Sequence, residues 1–141
     1  MQGDVSFEEY LAEELQDPEF AEGWAIHEPL RNLGLNVWSL RETSGMTQAQ
    51  LAEAAKMKQP RIADIERNWA NPTVLTISRV AFALGVPASR LLAQPDEGLL
   101  AKARAITAAR AGSRGSRRRT PEPRAQSALV ADGPRRRLAT G

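Results

Sequence analysis

The chain has no cysteine and a single histidine, His27. The first absence excludes disulfides, thiolate metal sites and thiol nucleophiles. The second sets aside a histidine-rich metal site and a serine–histidine–aspartate triad within one subunit. No apolar run approaches the roughly 18 residues of a membrane span. The start also lacks the basic-then-apolar order of a secretory leader, so a cytoplasmic location without a membrane partner is expected. Lysine and arginine are missing from one whole region: residues 1–30 carry nine acids and no base. The opposite balance follows. Residues 31–95 hold eight basic and four acidic residues, and residues 96–141 hold eleven and four. The small net charge of +2 therefore hides a gradient from −9 through +4 to +7. Such asymmetry points to a part that faces nucleic acid and an acidic part with a different task.

Neither internal repeats nor β-alternation of useful length occur, and the periodicity is helical. Ser6-Phe7-Glu8-Glu9 has the spacing of a capping box, and Phe7, Leu11 and Leu15 then recur on one helical face beside Tyr10. Asp17-Pro18 restarts the chain with a cap and a proline suited to the first helical turn. Phe20 and Trp24 follow four apart, and Glu28-Pro29 repeats the punctuation. Leu30, Leu33, Val37 and Leu40 predict an amphipathic helix ending near Gly45, weakened by Gly34 by about 1 kcal/mol relative to alanine. Thr47-Gln48-Ala49-Gln50 is a second capping box, opening a short helix that buries Leu51, Ala52 and Ala55. After a break at 56–58, a helix over about Gln59–Arg67 buries Ile62 and Ile65. Thr73 caps a helix with Val74, Ile77, Val80, Ala81 and Leu84 as its inward stripe, stopped by Gly85. A last turn spans Pro87 to Leu92. Beyond Gln94-Pro95, Leu99 to Arg110 suits a frayed alanine-rich helix. Residues 112–141 hold too little apolar mass to offset the entropy of ordering and are expected to be disordered.

Two short helices joined by a tight turn, the second turning polar side chains outward, outline a helix-turn-helix. Leu40-Arg41, Gly45-Met46-Thr47-Gln48, Leu51-Ala52, Gln59, Ile62, Ile65-Glu66, Asn71-Pro72, Ala81 and Leu84-Gly85-Val86 resemble the lambda-repressor-like, Cro/C1-type (XRE) helix-turn-helix family. The resemblance covers about residues 30–92. It implies an all-α fold with three parts: an acidic helical extension (1–29), a five-helix DNA-binding domain (30–94) and an Arg/Ala-rich, mostly disordered tail (95–141). Upstream, Tyr10-Leu11, Glu14-Leu15, Asp17-Pro18-Glu19-Phe20 and Glu28-Pro29 look like HigA-type antitoxins. That resemblance implies a homodimer binding its own operator and a HigB/RelE-like toxin. The chain departs from the family pattern at Lys56, where the turn usually has glycine, and at Lys58, where a serine or threonine usually caps the third helix. Further departures are Asn68, near a usual glycine, and Pro87, in place of a common serine.

Within that frame, Gln59 and Arg61 sit at the exposed start of the recognition helix. Glutamine pairs bidentately with adenine, and arginine with guanine or with phosphate. The plain alternative is a solvated face. Lys58 suits a phosphate as a point charge. Asp64 either accepts from cytosine N4 or excludes other sequences. Gln48 is expected to bond a phosphate at its helix start, or else to cap locally. Asn68 and Trp69 can reach phosphate from the following loop, although Trp69 suits packing on the next helix equally well. The resemblance makes Arg41 and Glu66 a structural ion pair rather than base contacts. Phe7 and Leu11 are the residues of the acidic segment best placed for a toxin, whereas an aromatic stripe is more often core. His27 reads as a helix-boundary residue. No nucleophile, base and orienter converge at recognisable spacing, so no enzyme, catalytic residue, metal or cofactor is expected. The expected function is an autoregulating repressor on double-stranded operator DNA. The alternatives are a free-standing regulator without a toxin and a bridging-factor-like module in which the helix-turn-helix contacts protein.

Overall fold

The computed structural model describes residues 5–117, with side chains to residue 113. Among the described residues there are eight helices and no strand. They are α1 (Phe7–Glu14), α2 (Pro18–Ile26), α3 (Glu28–Thr43), α4 (Gln48–Ala54), α5 (Gln59–Glu66), α6 (Val74–Leu84), α7 (Ala88–Leu92) and α8 (Glu97–Arg117). The chain divides after Ile106 into two units. The first contains α1 to α7 and the opening turns of α8; in the second, the rest of α8 is described as far as Arg117.

Local chemistry sets the helix boundaries. Ser6 Oγ accepts from Glu9 N at 3.1 Å, and Asp17 Oδ1 accepts from Glu19 N at 3.2 Å ahead of Pro18. Thr47 and Gln50 form the full reciprocal box, with Gln50 N donating to Thr47 Oγ1 at 3.0 Å and Thr47 N to Gln50 Oε1 at 2.8 Å. Each satisfied N–H is one that the helix start would otherwise leave orphaned. Thr73 accepts from Thr76 N, and Gly85, at φ +76°, ends α6 in the left-handed conformation.

The core lies where α3, α4, α5, α6 and α7 meet. Leu33, Val37, Leu51, Ile62, Val80 and Leu91 are essentially sealed from solvent. Gly34 has its reason here. A Cβ at this position would stand 3.0 Å from the Ile65 carbonyl oxygen and 3.1 Å from that of Glu66, so α5 ends against bare α3 backbone. The sequence shows only the helix-propensity cost of Gly34, and the close approach explains why it is tolerated. Asn36, fully buried on the next turn, donates through Nδ2 to the carbonyls of Leu91 (2.9 Å) and Ala93 (2.8 Å). Its Oδ1 accepts from Arg90 at 3.1 Å. This one amide thereby satisfies carbonyls that the five-residue α7 cannot.

Three expectations change. Val74 does not join the inward stripe of α6; it is 75% exposed, because it opens the helix ahead of the turn that packs. The region after residue 95 is more ordered than its composition predicts. Asp96 Oδ1 accepts from Leu99 N at 2.9 Å, the helix runs from Glu97 rather than Leu99, and Leu100 and Ala103 are buried. Burying those two apolar residues offsets the entropy of ordering the opening turns of α8. Of the segment expected to be disordered, residues 118–141 lie outside the described residues. Finally, α1 and α2 contain no buried residue, so the aromatic stripe of the extension is not core. Phe20 and Trp24 are half-buried. They stack at 6.1 Å between centroids, and the Arg31 guanidinium covers the Trp24 ring at 3.6 Å. No helix among the described residues is long and apolar enough to cross a membrane.

Candidate nucleic-acid interface

α4 and α5 pack against one another through Leu51, Ala52, Ala55, Ile62 and Ile65, joined by the turn 55–58. Lys56 takes the left-handed conformation there, at φ +57°. Lys58 precedes α5 in extended conformation and makes no capping bond, as a side chain without an acceptor must. Burying Ile62 and Ile65 fixes the rotation of α5 and leaves Lys58, Gln59 and Arg61 exposed around its start.

A chain of hydrogen bonds runs from α3 to this exposed end. Arg41 Nε donates to Glu66 Oε2 at 2.6 Å and its terminal nitrogen to Glu66 Oε1 at 3.0 Å, a forked ion pair whose side chains are almost wholly buried. The guanidinium also donates to the Met46 carbonyl at 2.8 Å and to Glu42 at 3.2 Å. Burial works against the charge on Arg41. The hydrogen bonds and attraction of Glu66, then of Glu42, outweigh it and hold the arginine above its usual pKa. Gln48 Nε2 donates to Glu66 Oε1 at 3.0 Å, and Gln59 Nε2 donates to Gln48 Oε1 at 2.8 Å. The orientation of both amides follows from chemistry. An ionised carboxylate only accepts, so Gln48 must turn its NH2 to Glu66 and its oxygen outward, which obliges Gln59 to present its own NH2. Gln59 is left with a free oxygen and one free N–H, and Gln48 with one free N–H.

The remaining candidates divide. Asp64 is half-buried and lies 3.9 Å from Arg67, so its charge is partly answered within the chain. Asn68 is exposed and left-handed at φ +65°, where asparagine is tolerated. Trp69 is 73% exposed, so it does not pack on α6; the Arg67 guanidinium lies 4.8 Å from its ring. Arg67 therefore touches both Asp64 and Trp69, a role the sequence reading missed. The i, i+3 spacing from Asp64 was its only signal. Gln48 does not cap its own helix, since Thr47 does. At the other end of the unit, Phe7 is 61% exposed, while Leu11 is half-buried.

A family profile described as Helix-turn-helix matches residues 39–91, the stretch from late α3 to α7. The chain is 35% identical over 65 residues to the uncharacterized HTH-type transcriptional regulator y4dJ of Sinorhizobium fredii, covering 46% of this chain and 84% of that one. It is 37% identical over 62 residues to the immunity repressor protein of Bacillus phage phi105, covering 44% of this chain and 43% of the repressor. The chain thus spans less than half the length of the phage protein it matches. Among solved structures, a hypothetical transcription factor from Neisseria aligns with 50% of this chain and 80% of its own, at 31% identity and a TM-score of 0.47. The chain belongs to the helix-turn-helix family of transcriptional regulators, of the lambda-repressor-like type. The curated relatives it matches are named as a repressor and as transcriptional regulators.

Proposed function

We propose that the protein is a sequence-specific DNA-binding repressor that acts as a homodimer on a two-fold operator, with residues 30–94 as the DNA-reading part. The observation that carries this reading is the exposed start of α5. Lys58, Gln59 and Arg61 surround it while Ile62 and Ile65 anchor the opposite face. In the proposed complex α5 enters the major groove. Gln59 turns its free oxygen and remaining N–H to adenine, the donor–acceptor pair that N6 and N7 require, with the Gln48 bond holding the amide plane in place. Arg61 takes a guanine. Lys58, Asn68, Trp69 and the free N–H of Gln48 contact phosphates and set the register. Asp64 rejects bases that present an acceptor to it. Occupancy then blocks transcription, the action that the name of the phage relative describes.

The test is binding to operator and to scrambled DNA at two salt concentrations, with the operator located by footprinting. Gln59→Ala and Arg61→Ala should each weaken operator binding by about 1–3 kcal/mol and leave scrambled DNA alone. Lys58→Ala should weaken both DNAs equally and flatten the salt slope by about 0.9. Unchanged operator affinity in both base-reading variants refutes the assignment of α5.

A second, finer reading is an antitoxin. It is favoured by one observation: α1 carries Phe7 exposed among glutamates, a surface suited to a basic ribonuclease of the HigB/RelE kind. Co-purification of a small basic protein encoded beside this chain supports it. Repression without such a neighbour leaves a free-standing regulator, and absence of any salt-dependent DNA binding leaves a protein-contacting module.

A further inference from the structure

Two surfaces of the first unit are left uncovered by the described residues, and they match. One is α1. Its eight residues, FEEYLAEE, include four glutamates, and none of the eight is buried. Phe7, Tyr10 and Leu11 fall at i, i+3 and i+4 and share one face, with Phe7 and Tyr10 both exposed. The other is a groove of about 520 Å³ between the end of α4 and the outer face of α6. Its lining is Ala54, Ala55, Lys56, Ser78, Arg79 and Phe82.

Phe82 is 85% exposed, the most exposed large apolar side chain among the described residues, and Leu75 adds to the same helix face. Lys56 and Arg79 flank the groove, and neither has an ion-pair partner among the described residues. Lys56 also holds a left-handed backbone that glycine adopts freely and lysine does not. A residue kept under such strain suggests use of its side chain.

We propose that α1 of one chain docks its Phe7–Tyr10–Leu11 face in this groove of a second copy, with its glutamates facing Lys56 and Arg79. The complement is thus another molecule of the same protein. Charge complementarity selects it: the groove is apolar with two cations on its flanks, and α1 is apolar with anions on its flanks. Two copies exchanging α1 helices form a closed two-fold pair that leaves no half-used surface. The aromatic pair Phe7 and Phe82 provides the anchor, as large rings do at interface centres. This deepens the dimeric part of the function proposed above and rests on it. It is tested without DNA, so that its failure and a failure of base reading are separate results.

Because the chain lacks cysteine, single thiols report the pairing without background. Full-length Glu8→Cys and full-length Ala54→Cys are treated with a short bismaleimide, separately and as a mixture. The mixture is expected to give a cross-linked heterodimer, and each protein alone only traces. Phe82→Ala in the Ala54→Cys background should lower the yield about tenfold, the loss of a truncated anchor. Arg79→Glu should also lower it, and Glu9→Arg on the other partner should restore it; rescue shows that the loss was not misfolding. Three results overturn the proposal. Ala54→Cys cross-linking to itself means that grooves pair with grooves. Glu8→Cys cross-linking to itself means that α1 pairs with α1. No cross-link in the mixture, with both proteins melting like the parent, means that α1 is left for a different protein such as a toxin.

Discussion

The helix-turn-helix core and the N-terminal extension use similar residues to opposite ends. In α3 to α7, Leu33, Val37, Leu51, Ile62, Val80 and Leu91 vanish from solvent, and the charged residues Arg41 and Glu66 are buried as a pair. In α1 and α2 no residue is buried, although Phe7, Tyr10, Leu11, Phe20 and Trp24 are spaced as regularly as any core stripe. Periodicity therefore decides only that a helix has a face. Whether the face is covered depends on a second element with the complementary shape, and among the described residues none buries α1. The division also separates charge: the exposed charges of the packed part are mostly basic, Lys56, Lys58, Arg61, Arg67 and Arg79 against Glu53, and the extension carries acids without a lysine or arginine.

The strongest break in that contrast is Glu66→Ala. It takes the forked partner from the buried Arg41 cation and leaves it only Glu42, so stability should fall by up to about 3–5 kcal/mol, read by thermal or denaturant unfolding. If the mutant melts like the parent while losing DNA binding, Glu66 acts at the interface rather than in the fold. Leu51→Ala, which opens a cavity at a fully sealed position, should cost about 2–5 kcal/mol in the same assay. Thr47→Ala removes one half of a complete capping box at the start of α4 and should cost about 0.5–2 kcal/mol. A double-mutant cycle on operator affinity with Gln48→Ala and Gln59→Ala should show a coupling of at least about 0.5 kcal/mol, because the two amides share a bond. Strict additivity would mean that the bond does not persist on DNA. The smallest effect belongs to the extension: at dilutions that keep the chain monomeric, Phe7→Ala should change unfolding by less than about 0.5 kcal/mol. A larger loss would show α1 to be part of the core and erase the contrast.

The order of helices and most of their ends could be read from punctuation, since Asp17-Pro18, Thr47 to Gln50, Thr73 and Gly85 act within a few residues of themselves. Ile62 and Ile65, the buried pair of α5, were equally legible from spacing. What stayed hidden depends on residues distant in sequence. Nothing local marks Asn36 as structural, because its three partner residues lie beyond residue 89. Gly34 looked like a weak point until the carbonyls of Ile65 and Glu66 were placed beside it. The orientation of the Gln48 and Gln59 amides needed Glu66 at its measured distance, which no local pattern encodes. Leu100 and Ala103 were overlooked because composition averages over a segment, whereas burial is settled residue by residue.

The amide of Asn36 has a topological consequence. It ties α3 to the end of α7 across 54 to 57 residues, so α4, α5 and the loop 67–73 sit inside a chain loop fastened at its neck. The entropy of closing such a loop grows only with the logarithm of its length, so that even doubling it adds about 0.6 kcal/mol. Extra residues placed between Arg67 and Thr73, where the backbone carries Asn68 and Trp69 into solvent, would hardly tax the neck. The exposed stretch at Asn68 and Trp69, beside the recognition helix, can thus change length, and with it reach, at little entropic cost, while the buried Pro72 keeps the entry to α6 in place.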